Sequence, residues 1–134
     1  MFGALDISTS GLVAQRTRID VISANLANIN SVEGPDGEYE PYRRRVPIFA
    51  TGDPTTGSIE GVHVQEVHLD MSELVSRYEP GHKFADDEGY VYYPNIDSTT
   101  EVINAMEASR AYEANITAVE VTKSMMNAAL QILA

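Results

Sequence analysis

Apolar residues recur at heptad steps through the last third of the chain. Val102, Ala105, Tyr112, Ile116, Val119, Met126, Leu130 and Leu133 mark the repeat, and Ser109 and Lys123 fill two of its steps. Such a repeat predicts a coiled-coil seam on a helix. Off the seam the helix is also apolar, with Ile103, Ala111, Ala114, Ala118, Val121, Met125, Ala128 and Ile132. A helix apolar on several sides must be covered on several sides. A chain of 134 residues offers little material to do so. The pattern therefore predicts an assembly in which copies or related subunits supply the cover.

A second stripe lies near the start. Leu5, Leu12, Ile19 and Leu26 are seven apart, and Ile22 and Ile29 follow the last two by three. This predicts a helix over about Ala4 to Ile29, with Arg16 and Asp20 as an i,i+4 pair. Ser8, Thr9, Ser10 and Gly11 are weak helix formers, so residues 1–10 are expected to be loose in the free monomer and helical only when packed. The C-terminal helix opens on a capping-box signature, Ser98 three residues before Glu101. It then runs to about Leu133 without proline or glycine, with Glu107–Arg110 and Glu120–Lys123 as i,i+3 pairs.

Between the helices the period changes. Gly34-Pro35-Asp36-Gly37 is a turn, because proline presets φ and glycine permits positive φ. Pro41, Pro47, Pro54 and Pro80 exclude a long helix. Strands are predicted at Tyr42 to Phe49, Ile59 to Leu69 and Tyr90 to Tyr93. The apolar content is thin, so this part should lean on the helices. The chain reads as α+β. Residues 1–30 form one helix, 31–97 a small β-rich insertion and 98–134 the other helix, the two helices making a coiled-coil-like, antiparallel pair.

Charge follows the same division. The net charge is −11, which argues against nucleic acid or an anionic membrane as partner. Residues 32–97 carry 14 acids and five bases, whereas the two ends are nearly neutral. Neutral ends can bundle without repulsion. The acidic middle favours solvent or a basic partner. No apolar run approaches the ~20 residues needed to span a bilayer, and the first residues lack the pattern of a cleavable signal.

Catalytic chemistry finds no foothold in the motifs. There is no cysteine, which removes disulfides and thiolate sites. His63 and His68 have odd spacing on one strand and need a bulge between them to share a metal; His82 stands apart. Asp86-Asp87-Glu88-Gly89 lacks the alternating ligands of a calcium loop and reads as a solvated turn. No cofactor is implied. Arg43, Arg44 and Arg45 form the one basic cluster, either a solvated strand or an intersubunit clamp. Asn25 and Asn28 sit near the end of the first helix, either terminating it or bonding across a tight helix interface. Two competing readings are a soluble module that docks one regulatory partner and a small hydrolase using acids such as Asp86 and Glu88.

Several of these residues carry a family resemblance. Ala24-Asn25-Leu26-Ala27-Asn28 resembles the ANxAN motif of flagellar basal-body rod and hook proteins. Leu12-Val13-Ala14-Gln15-Arg16 to Asp20-Val21-Ile22-Ser23 is similar to the same family's first helix, and Pro41-Tyr42-Arg43-Arg44-Arg45 to the stretch that follows it. Gly89-Tyr90-Val91-Tyr92-Tyr93-Pro94-Asn95 and Glu107-Ala108-Ser109-Arg110-Ala111-Tyr112 point within the family to its short proximal-rod members. One departure is visible: His82-Lys83 stands where the family has His-Pro.

The resemblance implies a structural subunit of the proximal rod, the shaft that carries motor torque across the periplasm. It implies export through the flagellar type III apparatus without a cleavable signal peptide. It also implies contact with FlgB, FlgF, FlgG, the adaptor FliE and copies of itself. The expected subunit contacts are Leu12, Ile19, Ile22, Asn25, Leu26, Asn28 and Ile29 on the first helix, and Arg43, Arg44 and Arg45 in the insertion. On the second helix they are Val102, Met106, Tyr112, Ile116, Val119, Met126, Leu130 and Leu133.

Overall fold

The computed structural model describes residues 2–134. Helix α1 (Phe2–Ala27) leads, and strands β1 (Arg45–Asp53), β2 (Ser58–Leu69), β3 (Val75–Tyr78) and β4 (Tyr90–Tyr93) follow. Helix α2 (Ser98–Leu133) closes the chain. The α+β architecture matches the sequence pattern, and the helices run antiparallel. Asn25 faces Glu101, Arg18 faces Glu107, and Gly11 lies against Asn115.

Helix α1 is the spine. Helix α2 packs along it, and so does the antiparallel β1–β2 hairpin. Arg45 pairs with Leu69 and Thr51 with Val62, with register breaks at Gln65 and Gly52. Gly52 is buried at φ +83°, and a Cβ there would meet the Ser58 carbonyl oxygen at 2.5 Å. Only glycine fits that turn.

The hairpin explains why α1 starts early. Residues from Phe2 to Ser10 are helical despite weak propensity, because tertiary contact outweighs propensity. The Ser10 hydroxyl accepts the Val62 N–H at 3.1 Å and donates to the Ile7 carbonyl at 2.6 Å. Residues 2–10 are thus helix packed against β2, and Met1 lies outside the described residues.

Strand β1 begins three residues later than the pattern suggested. Strand β3, not foreseen, pairs antiparallel with β4, Tyr78 opposite Tyr90 and Ser76 opposite Tyr92. This ribbon does not lean on the helices. It packs on the 28–42 loop through Val32, Val91 and Tyr93, with Phe84 and Ala85 beside them. The Gly34–Gly37 turn forms, with the Gly34 N–H donating to the Glu38 carbonyl at 2.9 Å. At the departure from the family pattern a turn also forms, and His82 Nδ1 accepts the Phe84 N–H.

The cap of α2 is Asp97, not Ser98: its carboxylate accepts the Thr100 N–H and hydroxyl. Of the expected helix-surface pairs none forms among the described residues; Glu107 instead reaches Arg18 at 3.4 Å. Exposed pairs on one helix add little and are easily exchanged.

Candidate subunit interface

The two helices and the hairpin are joined at one polar knot. Asn25 is 1% exposed. Its amide nitrogen donates to the Arg45 carbonyl at 2.9 Å and to Glu101 Oε2 at 3.2 Å. Its oxygen accepts the Arg45 N–H at 2.9 Å and the Tyr42 hydroxyl at 3.1 Å. Two donors and two acceptors are thereby all engaged. A carboxamide carries the same groups as a peptide unit, so Asn25 serves as a strand neighbour for Arg45 at the start of β1.

Glu101, also 1% exposed, completes the knot. Arg44 Nε donates to its Oε1 at 2.5 Å. A buried carboxylate is tolerable only when its oxygens are paired, and here both are. Burial pushes the Tyr42 phenol above its ordinary pKa, against the pull of the Arg45 guanidinium.

Both readings of the asparagines find a place, and the arginines divide between contacts within the chain and solvent. Asn25 bonds across the helix interface, while Asn28 donates to the Ala24 carbonyl at 2.8 Å and closes the end of α1. Arg44 is a clamp within the chain, and Arg43 donates to the Ser72 carbonyl. Only Arg45 leaves its side chain exposed, with its guanidinium 5.5 Å from the Tyr42 ring centre.

Below the knot the helices meet through small and polar residues. Ala108 is fully buried and Ala14 nearly so. The inner face of α2 follows Glu101, Ala108, Asn115, Thr122 and Ala129, joined by Ala105, Tyr112, Val119 and Met126. Half of the expected seam is therefore half-buried on this side. The other half is turned outward by one position: Val102 is 47% exposed and Leu130 63%. Met106, Ile116 and Leu133 are likewise exposed. On α1, Ile22 and Asn25 are covered within the chain itself. Leu12, Ile19, Leu26 and Ile29 remain half-buried.

A second heptad set runs along the outside of α2. Ala114, Val121 and Ala128 recur at seven, as do Ala118, Met125 and Ile132, and all six are exposed. Glu113, Glu120 and Asn127 form a separate exposed stripe one residue back. The distal half of α2 thus has one covered face, one bare apolar face and one polar face. At the observed register the start of α1 falls opposite about Ser124, so the last ~14 Å of α2 runs past its partner. Ile132 there is 84% exposed.

The whole chain exposes 8961 Å². A compact monomer of its mass exposes about 6,900 Å². The excess is about 2,000 Å², the scale of a specific protein interface.

Metal chemistry gains nothing from the geometry. The β-bulge at Gln65 does lie between His63 and His68, yet they stand about 15 Å apart along β2. His63 Nδ1 is 2.7 Å from the Gly52 carbonyl oxygen. Among the described residues no group of three or more histidines and acids could hold a metal ion. No described helix is long and apolar enough to cross a membrane.

Comparison with known proteins converges on one family. Residues 5–35 match the family described as flagella basal body rod protein, and residues 87–132 that described as flagellar basal body rod FlgEFG protein C-terminal. The flagellar basal-body rod protein FlgC of Borreliella burgdorferi is 39% identical over 99% of this chain and 97% of its own length. That of Escherichia coli is 40% identical over 94% of this chain and 92% of its own. The Bacillus subtilis protein is 37% identical over 98% and 97%. The matched segments contain most of the two helices that Asn25 and Glu101 tie together, and the relatives align across nearly their whole length. The chain belongs to the FlgC family of flagellar basal-body rod proteins.

Proposed function

We propose that this chain is a structural subunit of the flagellar proximal rod and polymerises with other rod proteins into the shaft that transmits motor torque. The observation that carries this reading is the bare apolar face of α2, whose heptad order suits a further helix-to-helix contact. Each Val, Ile or Leu buried there by a neighbour would contribute roughly 1.5–3 kcal/mol. Interdigitated side chains resist sliding, which a rotating shaft requires. The neighbours in this reading are copies of the chain, FlgB, FlgF, FlgG and FliE, reached after export through the type III apparatus into the periplasm. The acidic insertion then stays hydrated on the outside, where exposed Arg45 can meet a neighbour's carboxylate.

Cysteine cross-linking tests it cleanly, because the chain has no cysteine of its own. Cysteines placed at Val121 and Met125, paired with cysteines in the rod proteins, should cross-link in purified basal bodies and not in the dilute free chain. Basal bodies in which neither position links to any rod protein would sink the reading.

A further inference from the structure

The β3–β4 ribbon has two faces of the same chemistry, and only one of them has its cation. Residues opposite each other in an antiparallel pair share a face. On the inner face the Arg77 guanidinium lies 4.5 Å from the centre of the Tyr93 ring, and the Tyr93 hydroxyl donates to Glu79 at 2.8 Å. That is a cation held over an aromatic ring beside a carboxylate. On the outer face stand Tyr78, Tyr90 and Tyr92, of which Tyr78 is 67% exposed. Tyr78 and Tyr90 pack edge to face with centroids 5.4 Å apart, making one continuous aromatic surface.

Acids border this surface, and the local bases are engaged elsewhere. The turn into β4 carries exposed Asp86, Asp87 and Glu88, and neither the Asp87 nor the Glu88 side chain has an ion pair or hydrogen bond among the described residues. Arg77 also donates to Asn30 at 3.0 Å, and Lys83 donates to Glu33 and the Gly37 carbonyl at 3.2 Å while lying over Phe84. Both cations between Glu73 and Asp97 are thus turned to the inner side.

We propose that the outer face of the ribbon docks an arginine-bearing surface of another protein, with guanidinium groups stacked on Tyr78, Tyr90 and Tyr92 and paired with Asp87 and Glu88. Exposed tyrosines beside a turn of three carboxylates supply both the π face and the countercharge a guanidinium uses. This proposal does not depend on how α2 is covered in an assembly.

The test is a titration of the full chain with an acetylated, amidated Arg-Gly-Arg peptide, followed by NMR of the tyrosine rings. The citrulline version of the peptide, isosteric but uncharged, serves as comparison. The arginine peptide should give saturable shifts at Tyr78, Tyr90 and Tyr92 that weaken at about 0.5 M salt. Citrulline should give none. Tyr90→Ser and Tyr92→Ser should each weaken binding by about fivefold, with unchanged Val91 methyl signals reporting an intact inner face. Equal shifts from citrulline, shifts confined to other regions, or binding indifferent to both substitutions would overturn the proposal. So would concentration-dependent shifts of these rings without peptide, which would assign the face to a second copy.

Discussion

Gly11 and Asn115 occupy the same space from opposite helices. A Cβ on Gly11 would lie 2.9 Å from both the amide oxygen and nitrogen of Asn115. The glycine lets α1 and α2 approach, and Asn115 fills the gap while donating back to the Ala111 carbonyl at 2.9 Å. Gly11→Val should therefore push the helices apart and cost about 1–3 kcal/mol. Gly11→Ala should be close to neutral, since about 1 kcal/mol of helix propensity offsets a shift of the Asn115 side chain. Urea unfolding followed by helical circular dichroism measures both. In the Gly11→Val background, Asn115→Ala should recover part of the loss.

Asn25→Asp keeps the shape of the side chain and removes its donors. The Arg45 carbonyl then faces an acceptor, and a second carboxylate stands beside Glu101. The expected cost is about 2–4 kcal/mol in urea unfolding. Asn28→Asp should cost much less, because Asn28 bonds only to its own helix.

Arg44 and Glu101 should be energetically coupled. Arg44→Met or Glu101→Gln alone should cost about 2–3 kcal/mol, below the range for a fully buried pair because Arg44 keeps a quarter of its exposure. The double variant should cost less than the sum of the two. A double-mutant cycle with strictly additive losses would show that the knot is not a unit.

Acid should weaken the cap of α2. The side chain and backbone N–H of Thr100 hold the Asp97 carboxyl below the usual carboxylate range. A carboxyl lowered by folding stabilises above its unfolded pKa of about 3.9, and the contribution fades as pH falls from there through the folded value. Asp53, bonded by Thr55, and Asp70, bonded by Ser72, act in the same direction. Unfolding midpoints should fall steadily below about pH 4. Asp97→Asn, which caps without titrating, should flatten part of that slope. At the other extreme, the bond to Glu79 raises the Tyr93 phenol. The stability this bond provides is complete below the unfolded tyrosine pKa of about 10 and is lost as pH rises through the folded value. Ultraviolet titration should show a phenol ionising above the ordinary tyrosine range that disappears in Tyr93→Phe.

The helices, the Gly34–Gly37 turn, strands β2 and β4 and half of β1 were legible because period and turn chemistry are local. Strand β3 was not, since a four-residue segment ending before Glu79-Pro80 becomes a strand only by pairing with β4. The late start of β1 has the same origin: Asn25, distant in sequence, takes the Arg45 backbone. The seam of α2 was read one position off on half its length. Counting apolar residues favours Val102, Ile116 and Leu130, whereas α1 presents Gly11 and Ala14 and accepts small or polar partners such as Ala108, Asn115 and Thr122. Glu101 looked like part of a capping box for the same reason. Its partner Arg44 is far away in the chain, and only the fold brings the two together.

The central claim is that the outer face of α2 is apolar for a partner and not for this chain's own core. Val121→Asp and Met125→Asp should be compared in one experiment, measuring urea stability of the free chain and incorporation into basal bodies. Unfolding free energies within about 0.5 kcal/mol of the parent, together with absent rods and lost motility, are the predicted result. Normal rods and swimming in both variants would contradict it, as would a free chain that unfolds, since that would mean the face was already covered from within.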